Sequence, residues 1–343
     1  MNKKVLLFNL IIISLIFNHF IYSYSPNLEV NRSQIRLNDL LPKKSGTTRL
    51  WNYTTGDDVN SVAISSDGSY VVAGSNDNHT YLFNKTASIL KTPMRNYTTG
   101  DGVNSVALSS DGTYIISGSN DDHAYLFNNK TNFIPKWNYS MESDVKIVAI
   151  SSDGNYIATI SGSNKLSLLK NSSSMPVWNY TMENVINSVA ISSDGKYIVV
   201  GGDNDKVSLF YRTSNDILWN FTTGGDVKSV AISSDGNYIV AGSEDNDIYL
   251  FQKASKVPEW SYTVGDDVLS VAISSNGNFI VAGSNDNVTY FFERSYNIPI
   301  WKYKCGGAVV SVGISANGNV LLWEVAIIIH IYLITSLTLQ VLN

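Results

Sequence analysis

The residues able to do chemistry are few, and most of them recur in register. Four histidines (His19, His79, His123 and His330) and one cysteine (Cys305) accompany 29 carboxylates. His79 and His123 hold the same place in adjacent repeats, just after a turn. They could share a metal ion, but a surface hairpin role is the expectation. Histidine and cysteine are not spaced as zinc ligands are. Asp203-Asn204-Asp205 and similar turns lack the twelve-residue pattern of a calcium loop. A nucleophilic triad needs one serine, one histidine and one carboxylate brought together. Here every Ser-Ser-Asp-Gly copy is explained as a turn, and equivalent copies speak for structure over catalysis. No catalytic, cofactor-binding or metal residue is assigned, no cofactor is expected, and the chain reads as a non-enzyme.

The elements that position these residues repeat along the chain. Tryptophan recurs at 51, 137, 178, 219, 260 and 301, with Arg95 in the missing place. Asp-Gly or Asn-Gly recurs from Asp67-Gly68 to Asn317-Gly318 at spacings of 44, 42, 41, 41, 41 and 41 residues. Each unit reads as four strands, as in Trp219–Thr222, Val227–Ser233, Tyr238–Ser243 and Ile248–Phe251. The Ser-Asp-Gly between the second and third makes a hairpin turn, where glycine takes the positive φ. The third strand is apolar on both faces, as in a sheet covered on both sides. Small sheets packed face to face around an axis meet that need without long exposed edges. The expected fold is all-β: a seven-bladed β-propeller of four-stranded antiparallel blades, the last atypical. The Trp segment is expected to lead each unit.

The run Val59-Asn60-Ser61-Val62-Ala63-Ile64-Ser65-Ser66-Asp67-Gly68, continuing to Asp77, resembles the core of a WD repeat. The likeness covers Trp51 to about Asn319 and suggests the prokaryotic, exported type. Phe83-Asn84, Phe127-Asn128, Phe251-Gln252 and Phe292-Glu293 stand where the family has Trp-Asp, and its Gly-His pair is replaced by Gly-Asp, as at Gly56-Asp57. The family's turn aspartate falls on Asp77, Asp121, Asp245 and Asp286, but is Ser163 and Asn204 in the third and fourth units. The usual His–Asp–Ser–Trp network therefore cannot form, and these aspartates are expected to cap local amides. The resemblance makes the Val-x-Ser strand innermost. Asp57, Asp58, Asp101, Asp144, Glu183, Asp226, Asp266 and Asp267 would then ring one mouth of the axial channel, where like charge attracts a basic partner or cation. The alternative is that each acid closes its own turn. The Pro-x-Trp recurrence (Pro135, Pro176, Pro258 and Pro299) more briefly resembles quinoprotein propellers, without their unique acidic cluster.

Charge and the chain ends bound the rest. The net charge is −5, and becomes −7 without residues 1–25, which hold Lys3, Lys4 and no acid. That argues against nucleic acid. Residues 1–25, with an apolar run from Val5 to Tyr22 and then Ser23 and Ser25, have the layout of a signal peptide or signal anchor. Residues 26–50 read as a linker, and 51–334 as the repeats. The apolar block 320–342 is expected either to supply the last blade's strands or to anchor in a membrane, where Glu324 would be costly. The sequons at Asn31, Asn52, Asn78, Asn84, Asn96, Asn129, Asn138, Asn171, Asn179, Asn220 and Asn287 permit glycosylation on an exported chain. Together these point to a secreted or cell-surface monomer that scaffolds a protein or other extracellular ligand. The alternatives are a quinoprotein-like or other cofactor-binding propeller enzyme, and a structural envelope protein.

Overall fold

The computed structural model describes residues 53–84, 92–325 and 334–335. Over these the chain is all-β, with 27 strands in seven antiparallel sheets. Sheet 1 is β1 (Val59–Ile64), β2 (Tyr70–Ser75), β3 (His79–Asn84) and β4 (Arg95–Thr98), in that order. Sheets 2 to 6 repeat the meander over 103–140, 145–181, 186–222, 227–263 and 268–304. Sheet 7 has three strands, Val309–Ile314, Val320–Val325 and Ile334–Thr335. This is a seven-bladed β-propeller. Residues 1–25, residues 26–50 and most of the block beyond Val325 lie outside the described residues.

The Trp segment does not lead its own sheet. It forms the outer strand of the sheet before it: Arg95–Thr98 pairs with β3, and Trp260–Thr263 with the third strand of sheet 5. Partner choice here is a long-range matter, invisible in the local repeat. The outer strand of each sheet therefore rests against the next. Tyr97 meets Tyr125 and Phe127 with ring centroids 5.6 and 5.2 Å apart. Tyr53 meets Tyr81 and Phe83 in the same way, at 5.4 and 5.5 Å. The segment leading into β1 thus takes, against sheet 1, the place an outer strand takes against the following sheet.

The core lies between sheets. Val240, Ile248 and Leu250 of sheet 5 pack on Val268, Val271 and Ile280 of sheet 6. Second strands are buried on both faces and outer strands alternate half-buried with exposed, as the apolar patterning requires. The approach is close. A Cβ on Gly242 would lie 2.4 Å from Val268 Cγ1 of the next sheet, so nothing larger than glycine fits.

Serines join the inner strands. Ser61 Oγ accepts the Val106 amide at 3.0 Å, Ser229 Oγ accepts Val271 at 3.1 Å, and Ser270 Oγ accepts Val312 at 3.1 Å. Because equivalent positions meet, the inner strands all run in one sense. Every turn between first and second strands, and every connection between third and fourth, then falls on one face of the propeller. The connections into the first strands and the turns between second and third fall on the other.

The hairpin turns are built as their sequence indicates. Asp67 Oδ1 accepts the Ser65 hydroxyl at 2.7 Å and the Ser69 amide at 2.9 Å, and Ser65 Oγ accepts the Tyr70 amide at 3.0 Å. Gly112 takes φ +68, and a Cβ there would stand 2.5 Å from the Tyr70 ring. Burial opposes ionisation of Asp67, Asp111, Asp194 and Asp235. The hydroxyl and amide donors of each turn, with the Lys196 side chain at Asp194, prevail and hold these carboxyls below the ordinary value.

Candidate binding face

The face formed by the connections into the inner strands is crowded with acid. Together with the adjoining turns (55–58, 76–79, 99–102, 120–123, 141–144, 162–165, 182–185, 203–206, 223–226, 244–247, 264–267, 285–288 and 305–308) it carries eighteen carboxylates and two lysines, Lys165 and Lys206. Asp57, Asp58, Asp101, Asp144, Glu183, Asp226, Asp266 and Asp267 all lie on it, exposed or half-buried.

Seven of these eight acids, all but Glu183, divide into two kinds. Asp57, Asp101 and Asp266 accept the amide of the following residue at 2.7, 2.7 and 2.8 Å, so they close their own turns. Asp58, Asp144, Asp226 and Asp267 stand immediately before an inner strand. Asp144 pairs with Lys146 at 2.6 Å, and Asp226 with Lys228 at 3.2 Å. Burial, then Asp266 and Glu244, raise the Asp267 carboxyl above its ordinary value. Lys228 also reaches Glu244 at 2.8 Å and Asp203 at 3.8 Å. Burial opposes its charge, but the bonds to Glu244 and Asp226 hold its ammonium above the ordinary lysine value.

A β-bulge follows the first residue of every inner strand. The bulged residue is Asn60, Asn104, Lys146, Asn187, Lys228, Leu269 or Val310. A bulge re-aims a side chain at a rim. Asn104 and Asn187 donate to the adjoining turn and to the next inner strand: Asn120 Oδ1 at 2.6 Å and Val145 O at 3.1 Å, then Asp203 Oδ1 at 2.6 Å and Val227 O at 3.2 Å. Lys146 and Lys228 turn to carboxylates instead, while Leu269 and Val310 bring apolar surface to the same rim. Sequence reasoning missed this set. Its signal was the one variable letter inside an otherwise repeated Val-x-Ser-Val.

The turn aspartates do more than cap their own hairpins. Asp77 Oδ1 accepts the His79 amide at 3.2 Å, but Oδ2 reaches the Gly56 amide, 21 residues away, at 2.6 Å, and the Tyr81 hydroxyl at 2.8 Å. Asp121, Asp245 and Asp286 are placed alike. An Asp–Tyr pair with a backbone amide replaces the missing histidine and tryptophan. Burial first, then the carboxylate partner, raises the phenols of Tyr81, Tyr125, Tyr249 and Tyr290.

Both repeat histidines serve their hairpins. The His79 and His123 Nδ1 atoms lie 2.7 Å from the carbonyls of Asp77 and Asp121. Among the described residues no three histidine, cysteine or acidic side chains are grouped to hold a metal ion. Cys305 is a buried thiol, and burial pushes its pKa up. Asn96, Asn138 and Asn220 are exposed on outer strands, whereas Asn129 is buried with its amide donating to Gly112 O at 3.1 Å. Asn31 and Asn52 lie outside the described residues; Asn78, Asn84, Asn171, Asn179 and Asn287 are half-buried.

Comparison with known families decides the architecture. The WD domain, G-beta repeat (WD40) model matches residues 47–84, 91–128, 176–210, 217–252 and 258–293, more than half of the chain. The chain belongs to the WD40 repeat family. The five matched stretches leave out 129–175, the repeat in which Ser163 stands at the turn-aspartate position and Ile147 at that of the inner-strand serine. No curated protein matches the chain. WD40 propellers are generally non-catalytic scaffolds and commonly bind proteins, and this chain has that scaffold.

Proposed function

We propose that this WD40 propeller is an exported or cell-surface scaffold that holds a basic protein on its acid-lined face and performs no catalysis. The observation that carries the reading is the imbalance around that face of eighteen carboxylates to four lysines, Lys165 and Lys206 in the turns and Lys146 and Lys228 at the bulges. Only part of this charge is spent on turns. Asp58 and Asp267 remain immediately before inner strands, and the same rim carries the apolar Leu269 and Val310, so a partner surface that combines cationic with apolar side chains suits it. Several same-sign charges around a concave mouth raise the local concentration of an opposite charge and speed its capture. Export rests on the sequence of residues 1–25 and is consistent with the exposed sequons at Asn96, Asn138 and Asn220.

The test is binding of cytochrome c, as a basic probe, to the wild-type chain and to an Asp58→Asn, Asp226→Asn, Asp267→Asn variant. Wild type should bind with an affinity that falls as salt rises, and the variant should lose about tenfold or more. Equal affinity in the two chains would remove the acidic face from the account. Fractionation of cells making the chain, with mass spectrometry of both termini, tests export.

A further inference from the structure

The seven sheets are not joined alike. Five of the junctions, 1/2, 2/3, 4/5, 5/6 and 6/7, share three fittings near the axis. An inner-strand serine accepts an amide of the next inner strand, as Ser105 does from Val148 at 3.1 Å and Ser188 from Val230 at 3.0 Å. A backbone bond joins neighbouring hairpin turns, from Ser66 N to Ser110 O at 2.9 Å through to Ser275 N to Ala316 O at 3.0 Å. A glycine near the end of the second strand makes room for a valine. A Cβ on Gly74, Gly118, Gly201, Gly242 or Gly283 would stand 2.3–2.6 Å from Cγ1 of the valine that opens the next sheet.

Among the described residues, junctions 3/4 and 7/1 lack all three fittings. In sheet 3, Ile147 takes the serine's place and Ile160 the glycine's. In sheet 7, Ser311 is kept, but Glu324 stands opposite it, as Gly74 stands opposite Ser61. No serine hydroxyl accepts the Val62 or Val189 amide, and no backbone bond joins Ala316 to Ser66 or Ser152 to Ser193. One cause accounts for these losses. Isoleucine or glutamate cannot enter a space that admits only glycine, so the neighbouring inner strand is held beyond bonding reach. A carboxylate resists burial there as well.

The two junctions differ in what remains. At 3/4 one apolar cluster still spans both sheets, with Ile160, Leu168 and Trp178 packed among Ile186, Ile198 and Phe210. Trp178 Nε1 donates to Arg212 O at 3.0 Å on the outer side, and the Ser152 and Ser193 hydroxyls meet at 2.9 Å. Apolar packing is non-directional, so this junction can pivot without coming apart. At 7/1 no such cluster spans the described residues. The cluster on sheet 1 holds that sheet's own side chains and Tyr53, and the cluster on sheet 7 joins it to sheet 6. Val310 is 41% exposed, and a Cβ on Gly313 would meet nothing within 4 Å.

We propose that the propeller is a clasp of two arcs, sheets 1–3 and sheets 4–7, which pivot at the 3/4 junction and part at the 7/1 junction. Glu324 lies near the acid-lined end of its strand, so parting widens the acidic mouth. The clasp is independent of what that face binds, and its test involves no partner.

Double electron–electron resonance on the full chain reads the motion directly. Asn96, Asn220 and Lys302 are exposed and hold one register on the outer strands of sheets 1, 4 and 6. Spin labels on Asn220→Cys with Lys302→Cys lie two sheets apart within one arc. Labels on Asn96→Cys with Lys302→Cys also lie two sheets apart, but across the 7/1 junction. A rigid ring gives both pairs the same distance and width. The clasp gives the first pair one narrow distance and the second a distribution about twofold wider or more. Glu324→Gly with Ile147→Ser should draw the second toward the first. Matching wild-type distributions, narrow or broad, would overturn the clasp, as would a second distribution that the double change leaves as wide. Hydrogen exchange needs no substitution. The Val62 amide should exchange about tenfold faster or more than that of Val106, and equal protection would likewise overturn the opening.

Discussion

The hydroxyl of Tyr249 donates to the carboxylate of Asp245 at 2.6 Å, and these two residue types are kept or lost together along the chain. Asp77 and Tyr81, Asp121 and Tyr125, and Asp286 and Tyr290 make the same bond. Where Asp is Ser163 or Asn204, the tyrosine is Ser167 or Ser208, and both hydroxyls are buried without a partner. The pair is one structural unit, and sheets 3 and 4 lack it.

Tyr249→Phe should therefore lower unfolding stability by about 1–2 kcal/mol, since it removes a bond to a charged acceptor. Asn204→Asp with Ser208→Tyr should recover more than the two single changes combined. A denaturation-based double-mutant cycle reads that coupling.

Stability should fall at both ends of the pH scale. The hairpin carboxyls of Asp67, Asp111, Asp194 and Asp235 sit below their ordinary value when folded. Their contribution is present above the unfolded pKa, about 4, and is lost as pH drops through the folded one. The phenols move the other way. Their contribution is present below about 10 and fades as pH rises toward the folded value. Melting temperature against pH checks both limbs. Asp235→Asn should flatten the acid limb and Tyr249→Phe the alkaline limb.

Trp260 Nε1 donates to Arg294 O of the next sheet at 2.8 Å, and Trp137, Trp178 and Trp219 do likewise at 3.0, 3.0 and 2.9 Å. Trp260→Phe should cost about 1 kcal/mol for that bond. Trp260→Ala should cost about 3–5 kcal/mol, because packing is lost as well. Chemical denaturation separates the two.

Among the six junctions between consecutive sheets, that of sheets 3 and 4 should open first. Ile147 stands where Ser61, Ser105, Ser188, Ser229 and Ser270 accept the amide of the neighbouring inner strand. Hydrogen exchange should find the Val189 amide less protected than those of Val148, Val230 and Val271. Equal protection would deny that the serines hold the ring.

Much of this was legible because it is local. Asp67-Gly68 and its copies announce hairpins through a φ that only glycine takes easily, and the double landmark of Trp and Asp-Gly counts the sheets. What local pattern cannot say is which sheet an outer strand joins, so Trp260 was expected to open sheet 6 and in fact closes sheet 5. The Asp–Tyr pair lay in view at a spacing of four, which puts both residues on one face of a hairpin. It was missed because the family's histidine and tryptophan were sought in its place. The acids before the inner strands were visible, but gathering them with the second-to-third-strand turns on one face needs strand direction, and that comes only with the fold.

The most direct measurement is a hydrogen-exchange footprint of the chain with bound cytochrome c. Protection should rise at Asp57–Asn60, Asp226–Lys228 and Asp266–Leu269, and stay unchanged at 128–137 and 252–260. Protection confined to those third-to-fourth-strand connections, or none anywhere, would contradict a scaffold that works through its acidic face.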